Sequence, residues 1–199
     1  ELENKGSKTG FKIKNEKPLL TEWTKMVEKF KNPKKLVKVA VVGKYIELKD
    51  AYISIHESIE HAGFNLDTKV EIEYFKAGEF DVRKLADYDG ILVPGGFGDR
   101  GIEGKVEAIK FARENNIPFF GICLGMQMAC VEFAKNVLGY KDATSTEFEK
   151  DTDYPIISLM EEQKGLKDMG GTMRLGAYPC ILKEDSLAAK VYGRTEIAE

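Results

Sequence analysis

The sequence predicts an α/β fold of three layers, a mostly parallel central sheet with helices on both faces. Two observations lead there. Short strand-like apolar runs stand at residues 39–42, 70–75, 90–93 and 119–122, and helical patterns fall between or after them at 50–62, 103–114 and 124–137. Strands that take turns with helices need crossover connections, which make neighbouring strands parallel and cover both faces of the sheet.

In chain order, residues 1–17 are mostly charged, Gly, Ser, Thr and Asn, too polar to offset the entropy of ordering them, and read as a linker or tail. Residues 18–35 form a connecting helix: after Pro18, the residues Leu19, Trp23, Met26, Val27 and Phe30 recur at helical spacing until Asn32-Pro33. One domain then runs over 36–199. Its first strand closes at Gly43, and its first helix is expected to start on Asp50 as N-cap and to stop at Gly63. Past Ser145 the pattern weakens, with strands expected at 156–160 and 173–182 and a short helix at 187–192.

Composition narrows the function. With 43% hydrophobic residues in 199, the chain can bury a real core. A net charge of -3 supplies no field to attract nucleic acid or an anionic membrane, so neither is an expected partner. No apolar run approaches the roughly 20 residues of a bilayer span, and the start ELENKGSKTG lacks the apolar core of a secretory signal; the expected location is the cytoplasm. Three cysteines are too few and odd in number for a disulfide framework, which suits a reducing compartment. No metal site is expected.

The run PFFGICLGMQ at 118–127 sets Cys123 between Gly121 and Gly125 where a strand gives way to a helix. This is the G-x-nucleophile-x-G pattern of a nucleophile elbow, in which the glycines remove Cβ atoms from a tight reversal. Cys123 then stands at the carboxyl end of the sheet and at a helix N-terminus, whose partial positive charge favours thiolate. The amide of Leu124 points into the same space and is a ready oxyanion donor. The bland alternative is a small buried cysteine in a tight turn, and the elbow taken alone favours the nucleophile over it. Cys130 and Cys180 are expected to pack structurally; Cys130 lies seven residues past Cys123, about 10 Å along a helix and out of disulfide reach.

With VPGGFGDRG at 93–101, GICLGMQ at 121–127 and STEF at 145–148, the chain resembles a class I glutamine amidotransferase domain, of flavodoxin-like architecture. VGKY at 42–45, DAY at 50–52, PGGFGDRGIEGK at 94–105, ARENNIPFFGICLGMQ at 112–127 and GGTMRLG at 170–176 are similar to the glutaminase half of the CTP synthase family, from about Leu19 onward. The resemblance implies hydrolysis of L-glutamine to glutamate and ammonia through a cysteine thioester on Cys123. It implies glutamine contacts at Gly96, Leu124, Gly125, Met126, Gln127 and Glu147, with the amides of Gly96 and Leu124 as oxyanion hole. It further implies that the ammonia aminates UTP to CTP in a synthetase domain of the same polypeptide, which uses ATP and magnesium and lies outside this chain. A GTP response is implied at Arg100, Gly101, Glu103, Thr172 and Arg174, as is a homotetramer.

One part of the family's pattern is missing. Such a glutaminase moves protons with a histidine downstream of the cysteine, oriented by an acid in a His-x-Glu pair. The only histidines, His56 and His61, precede Cys123 on the helix at 50–62 and are expected to be structural. The chain is therefore expected to be incomplete at its C-terminal end and, alone, to release ammonia near the buffer background. Two other readings stay open: another class I amidotransferase, serving purine or amino-acid synthesis, and a regulatory module that binds glutamine or nucleotide without turnover.

Overall fold

Nine consecutive register pairs join β1 (Lys35–Gly43) to β2 (Thr68–Lys76) in parallel, from Lys35 opposite Thr68 to Gly43 opposite Lys76. The computed structural model describes residues 20–160 and 176–198. On its other side β1 runs parallel to β3 (Gly90–Val93), which in turn pairs with β4 (Phe119–Gly121), so the sheet order is β2-β1-β3-β4. The connections first step one way, from β1 to β2, and then back past β1 to β3 and β4. Right-handed crossovers therefore put α2 (Ile53–Asn65) on one face, and α3 (Ile102–Glu114) on the other. The carboxyl ends of β1 and β3, where the winding reverses, form the crevice in which such sheets place ligands.

Strand pleating sends Ala40, Val42, Ile91 and Val93 to the α3 face. There they meet Ala108, Ile109 and Ala112 of α3 and Leu124, Met128 and Val131 of α4 (Leu124–Asn136). Val41 and Leu92, one residue out of phase, are buried on the opposite face. Each such aliphatic side chain contributes about 1.5–3 kcal/mol by leaving water. A buried ion pair ties α3 to α4: the Glu132 side chain is 1% exposed and accepts from Arg113 Nη2 at 2.8 Å and Nε at 3.0 Å, with Asn136 Nδ2 donating at 3.1 Å.

The predicted α/β layering is the observed one, with local differences. α1 (Thr21–Lys31) docks on α2 through an edge-to-face contact of Phe30 with Phe64, centroids 4.6 Å apart. Asp50 caps no α-helix: the chain winds a 3₁₀ turn over Lys49–Tyr52 first, and α2 starts only at Ile53. That turn swings Tyr52 into the core, where its hydroxyl accepts the amides of Lys44 at 3.0 Å and Tyr45 at 3.1 Å. Gly63 does not stop α2, which continues to Asn65; a Cβ there would stand 2.6 Å from the Thr68 carbonyl oxygen, so it serves close packing. Cys130 is exposed rather than packed in the core, its Sγ 3.9 Å from Met126 Sδ.

The C-terminal strands are shorter than expected. The first, β6, covers Pro155–Ile157 and pairs in parallel with β5 (Thr144–Ser145). The second, β7, covers Pro179–Ile181; residues 173–175 of the expected strand lie outside the described residues, and residues 176–178 are not strand. The helix at 187–192 is present as α5 (Leu187–Tyr192), with Ser186 Oγ accepting the Ala189 amide at 3.1 Å and Gly193 closing it in the left-handed region. The sequence pattern missed β8 (Glu196–Ala198), which runs antiparallel to β7. Among the described residues no helix is long and apolar enough to cross a membrane.

Candidate active site

At the carboxyl end of β4 the chain reverses into α4 through Cys123, whose φ of 51° and ψ of -109° lie outside the usual regions for a residue with a side chain. Such a conformation costs on the order of 1–3 kcal/mol and persists only where the surroundings impose it. They do so here. The Ile122 amide donates to the Val93 carbonyl at 3.0 Å, and the Gly125 amide turns back to the Ile122 carbonyl at 2.9 Å. A Cβ on Gly125 would stand 2.0 Å from the Val93 oxygen, and one on Gly121 would stand 2.5 Å from the Gly125 carbonyl carbon. Both glycines flanking the cysteine are sterically required, as the elbow pattern predicts.

The reversal leaves Cys123 exposed at the N-terminal end of α4. Leu124, first in the helix, has no intrahelical acceptor for its amide, so that donor remains at the cysteine. The Gly95–Gly96 turn after β3 passes alongside: a Cβ on Gly95 would lie 3.4 Å from Cys123 Cβ and 3.9 Å from Sγ, and one on Gly96 would lie 3.6 Å from Leu124 Cδ2. Gly95, Gly96, Cys123 and Leu124 thus converge from two separate loops.

Two lysines flank this turn. Lys44, at the end of β1, donates from Nζ to the Phe97 carbonyl at 3.1 Å. Lys105, in the first turn of α3, is only 1% exposed, and its Nζ lies 3.4 Å from where a Gly96 Cβ would be. Burial lowers the Lys105 ammonium below its ordinary pKa, the like charge of Lys44 adds to this, and Cys123 acts in the opposite direction. Lys105 closes the PGGFGDRGIEGK motif, but the sequence pattern assigned it no role of its own, because a lysine in a helix's first turn ordinarily faces water.

The other expected residues are placed more loosely. Glu147 is exposed and accepts the Gly98 amide at 3.0 Å, which brings it to the far side of the glycine loop. Gly125 is buried in the elbow, Gln127 donates its amide to the Cys123 carbonyl at 3.1 Å, and the Met126 side chain is exposed. Arg100 and Glu103 are exposed beside Gly101, which begins α3 with φ 81°. Thr172 and Arg174 lie outside the described residues. His56 pairs with Tyr74 Oη at 3.3 Å and Glu60 at 3.6 Å, and His61 packs on Phe64. Among the described residues no histidine lies within hydrogen-bond reach of Cys123.

A family model described as glutamine amidotransferase class-I matches residues 47–197. The chain is 53% identical over 193 residues to the CTP synthase of Bacillus thuringiensis (strain Al Hakam) and equally to that of Bacillus cereus (strain AH820), covering 95% of this chain and 36% of each relative. It therefore spans little more than a third of the curated relatives it matches. Among solved structures it is similar to a Trypanosoma brucei CTPS glutaminase domain with bound acivicin, at TM-score 0.72 and 35% identity over 82% of this chain and 65% of that one.

Proposed function

Because this chain belongs to the class I glutamine amidotransferases, we propose that it is the glutaminase part of a CTP synthase, with Cys123 as its nucleophile. The observation that carries the reading is the strained, exposed Cys123 at the start of α4, faced by the Gly95–Gly96 turn. The relatives' names support the choice within the family, as does acivicin, a glutamine analogue, in the trypanosome domain.

In this reading the Cys123 sulfur attacks the side-chain amide carbon of L-glutamine. The resulting oxyanion accepts from the amides of Leu124 and Gly96. Collapse breaks the carbon–nitrogen bond as the leaving nitrogen takes up the proton that the thiol gave up, so that ammonia departs and a thioester remains. Water then cleaves the thioester to release glutamate and restore the thiol. Glu147 meets the substrate ammonium, and the backbone from Leu124 through Gln127 borders the side chain. Because no histidine reaches Cys123 among the described residues, proton transfer is assigned to a group outside them, and these 199 residues alone turn over near background.

The wider assignment follows from the same reading. The ammonia goes to a synthetase domain of the same polypeptide that aminates UTP with ATP and magnesium, in a cytoplasmic homotetramer. Arg100, Gly101 and Glu103, with Thr172 and Arg174, take part in a response to GTP.

A glutamine-analogue electrophile tests the core of this. Mass spectrometry should find one adduct, on Cys123, suppressed by excess L-glutamine and absent from Cys123→Ala. Equal labelling of Cys130 or Cys180, with no protection by glutamine, would sink the reading.

A further inference from the structure

We propose that Lys105 is a positioning residue for this site: its buried ammonium, lodged against Gly96, favours negative charge on the Cys123 sulfur and then faces the negative charge that forms beside the Leu124 amide. The second half rests on the glutaminase reading above; the first does not.

A lysine at this place is costly three times over. It is 1% exposed, so its charge is largely stripped of water. It sits in the first turn of α3, where the helix dipole repels cations. It is also repelled by Lys44, which is anchored nearby on the Phe97 carbonyl. Among the described residues no carboxylate favours its charge; Cys123 is the acid that does. Glu147, the nearest acid of the glycine loop by bonding, is engaged by the Gly98 amide.

The distances bring the amine against Gly96 and the sulfur against Gly95 of the same turn. Lys105 Nζ is 3.4 Å from the Cβ position of Gly96, which is 3.6 Å from Leu124 Cδ2, while the neighbouring Gly95 position is 3.9 Å from Cys123 Sγ. Glycine at 96 keeps the space open through which the ammonium approaches the cysteine side of the turn. A cation held near a thiol lowers the energy of the thiolate and of any anion formed next to it.

The test is the pH dependence of Cys123 alkylation by neutral iodoacetamide, in the full-length protein with Cys130→Ser and Cys180→Ser. Lys105→Met keeps the buried stem and removes the charge, and Lys105→Arg keeps the charge. The methionine variant should shift the alkylation midpoint upward by about half a pH unit or more, a roughly threefold loss of thiolate near neutrality, and the arginine variant should stay near wild type. Thiolate ultraviolet absorbance gives the same midpoint independently, and Lys105→Gln replaces methionine should that variant not fold. A folded uncharged variant with an unchanged or lower midpoint overturns the proposal. Because iodoacetamide needs no glutamine pocket, a shifted midpoint without glutamine protection of Cys123 would refute the glutaminase reading and leave this inference standing.

Discussion

Replacing Gly125 by alanine should dismantle the elbow while leaving the rest of α4 chemically unchanged. The added Cβ would stand 2.0 Å from the Val93 carbonyl oxygen and 2.8 Å from its carbon, both backbone atoms of a central strand. An ordinary carbon–oxygen contact is about 3.3 Å, so α4 and β3 must separate by more than 1 Å. That movement breaks the 3.0 Å bond from the Ile122 amide to the Val93 carbonyl, worth about 1 kcal/mol. Forcing extra volume between packed elements costs about 1–3 kcal/mol more. Alanine's better helix propensity returns about 1 kcal/mol, for a net loss of about 1–3 kcal/mol. Gly139→Ala is the control: its φ is 81° but nothing lies within 4 Å, so only backbone strain of about 1–2 kcal/mol applies, with no effect at Cys123. Urea unfolding followed by circular dichroism compares the stabilities, and the alkylation rate of Cys123 reports the elbow. The Gly125 variant should lose most of that alkylation rate and the Gly139 variant none. Equal Cys123 reactivity in both variants would refute the claim that Gly125 is required by its contact with β3.

Two further outcomes follow from the charged groups. Arg113→Met leaves the Glu132 carboxylate, 1% exposed, with the Asn136 amide as its partner among the described residues, and should lower the urea midpoint; adding Glu132→Leu should recover most of the loss. Asp81, bonded first by the Arg83 side chain and then by its amide, has its carboxyl pKa lowered to about 2. The contribution of that carboxylate is present above its unfolded value of about 4 and fades as pH falls through about 2. Carbon NMR should therefore place the Asp81 midpoint near the lower value, and Arg83→Ala should move it upward.

The layered fold was legible because its strands announce themselves as short apolar runs and its helices as periodic ones. The elbow was legible for a stricter reason, that glycine on both sides of Cys123 has a steric meaning wherever it occurs. What escaped the pattern depends on contacts between distant residues. Asp50 looks like a cap, but the need to bring the Tyr52 hydroxyl to the Lys44 and Tyr45 amides rewinds the first turn as 3₁₀. Gly63 looks like a stop, but the close approach of the Thr68 carbonyl is what requires it. Lys105 carries no burial signal in sequence, yet it is 1% exposed, with its Nζ 3.4 Å from the Cβ position of Gly96. The Arg113–Glu132 pair is equally silent in sequence, since its members are 19 residues apart on separate helices.

The glycine loop between β3 and α3 is held at both shores. Upstream, Lys44 grips the Phe97 carbonyl; downstream, the helix start is pressed so tightly on the end of β2 that a Cβ on Gly104 would stand 2.0 Å from the Gly78 nitrogen. Between them the Gly98 amide is moored to the Glu147 carboxylate at 3.0 Å, and the Asp99 carbonyl accepts the Ile102 amide at 3.1 Å. A ligand that drew that carboxylate away would cut the mooring without disturbing either shore.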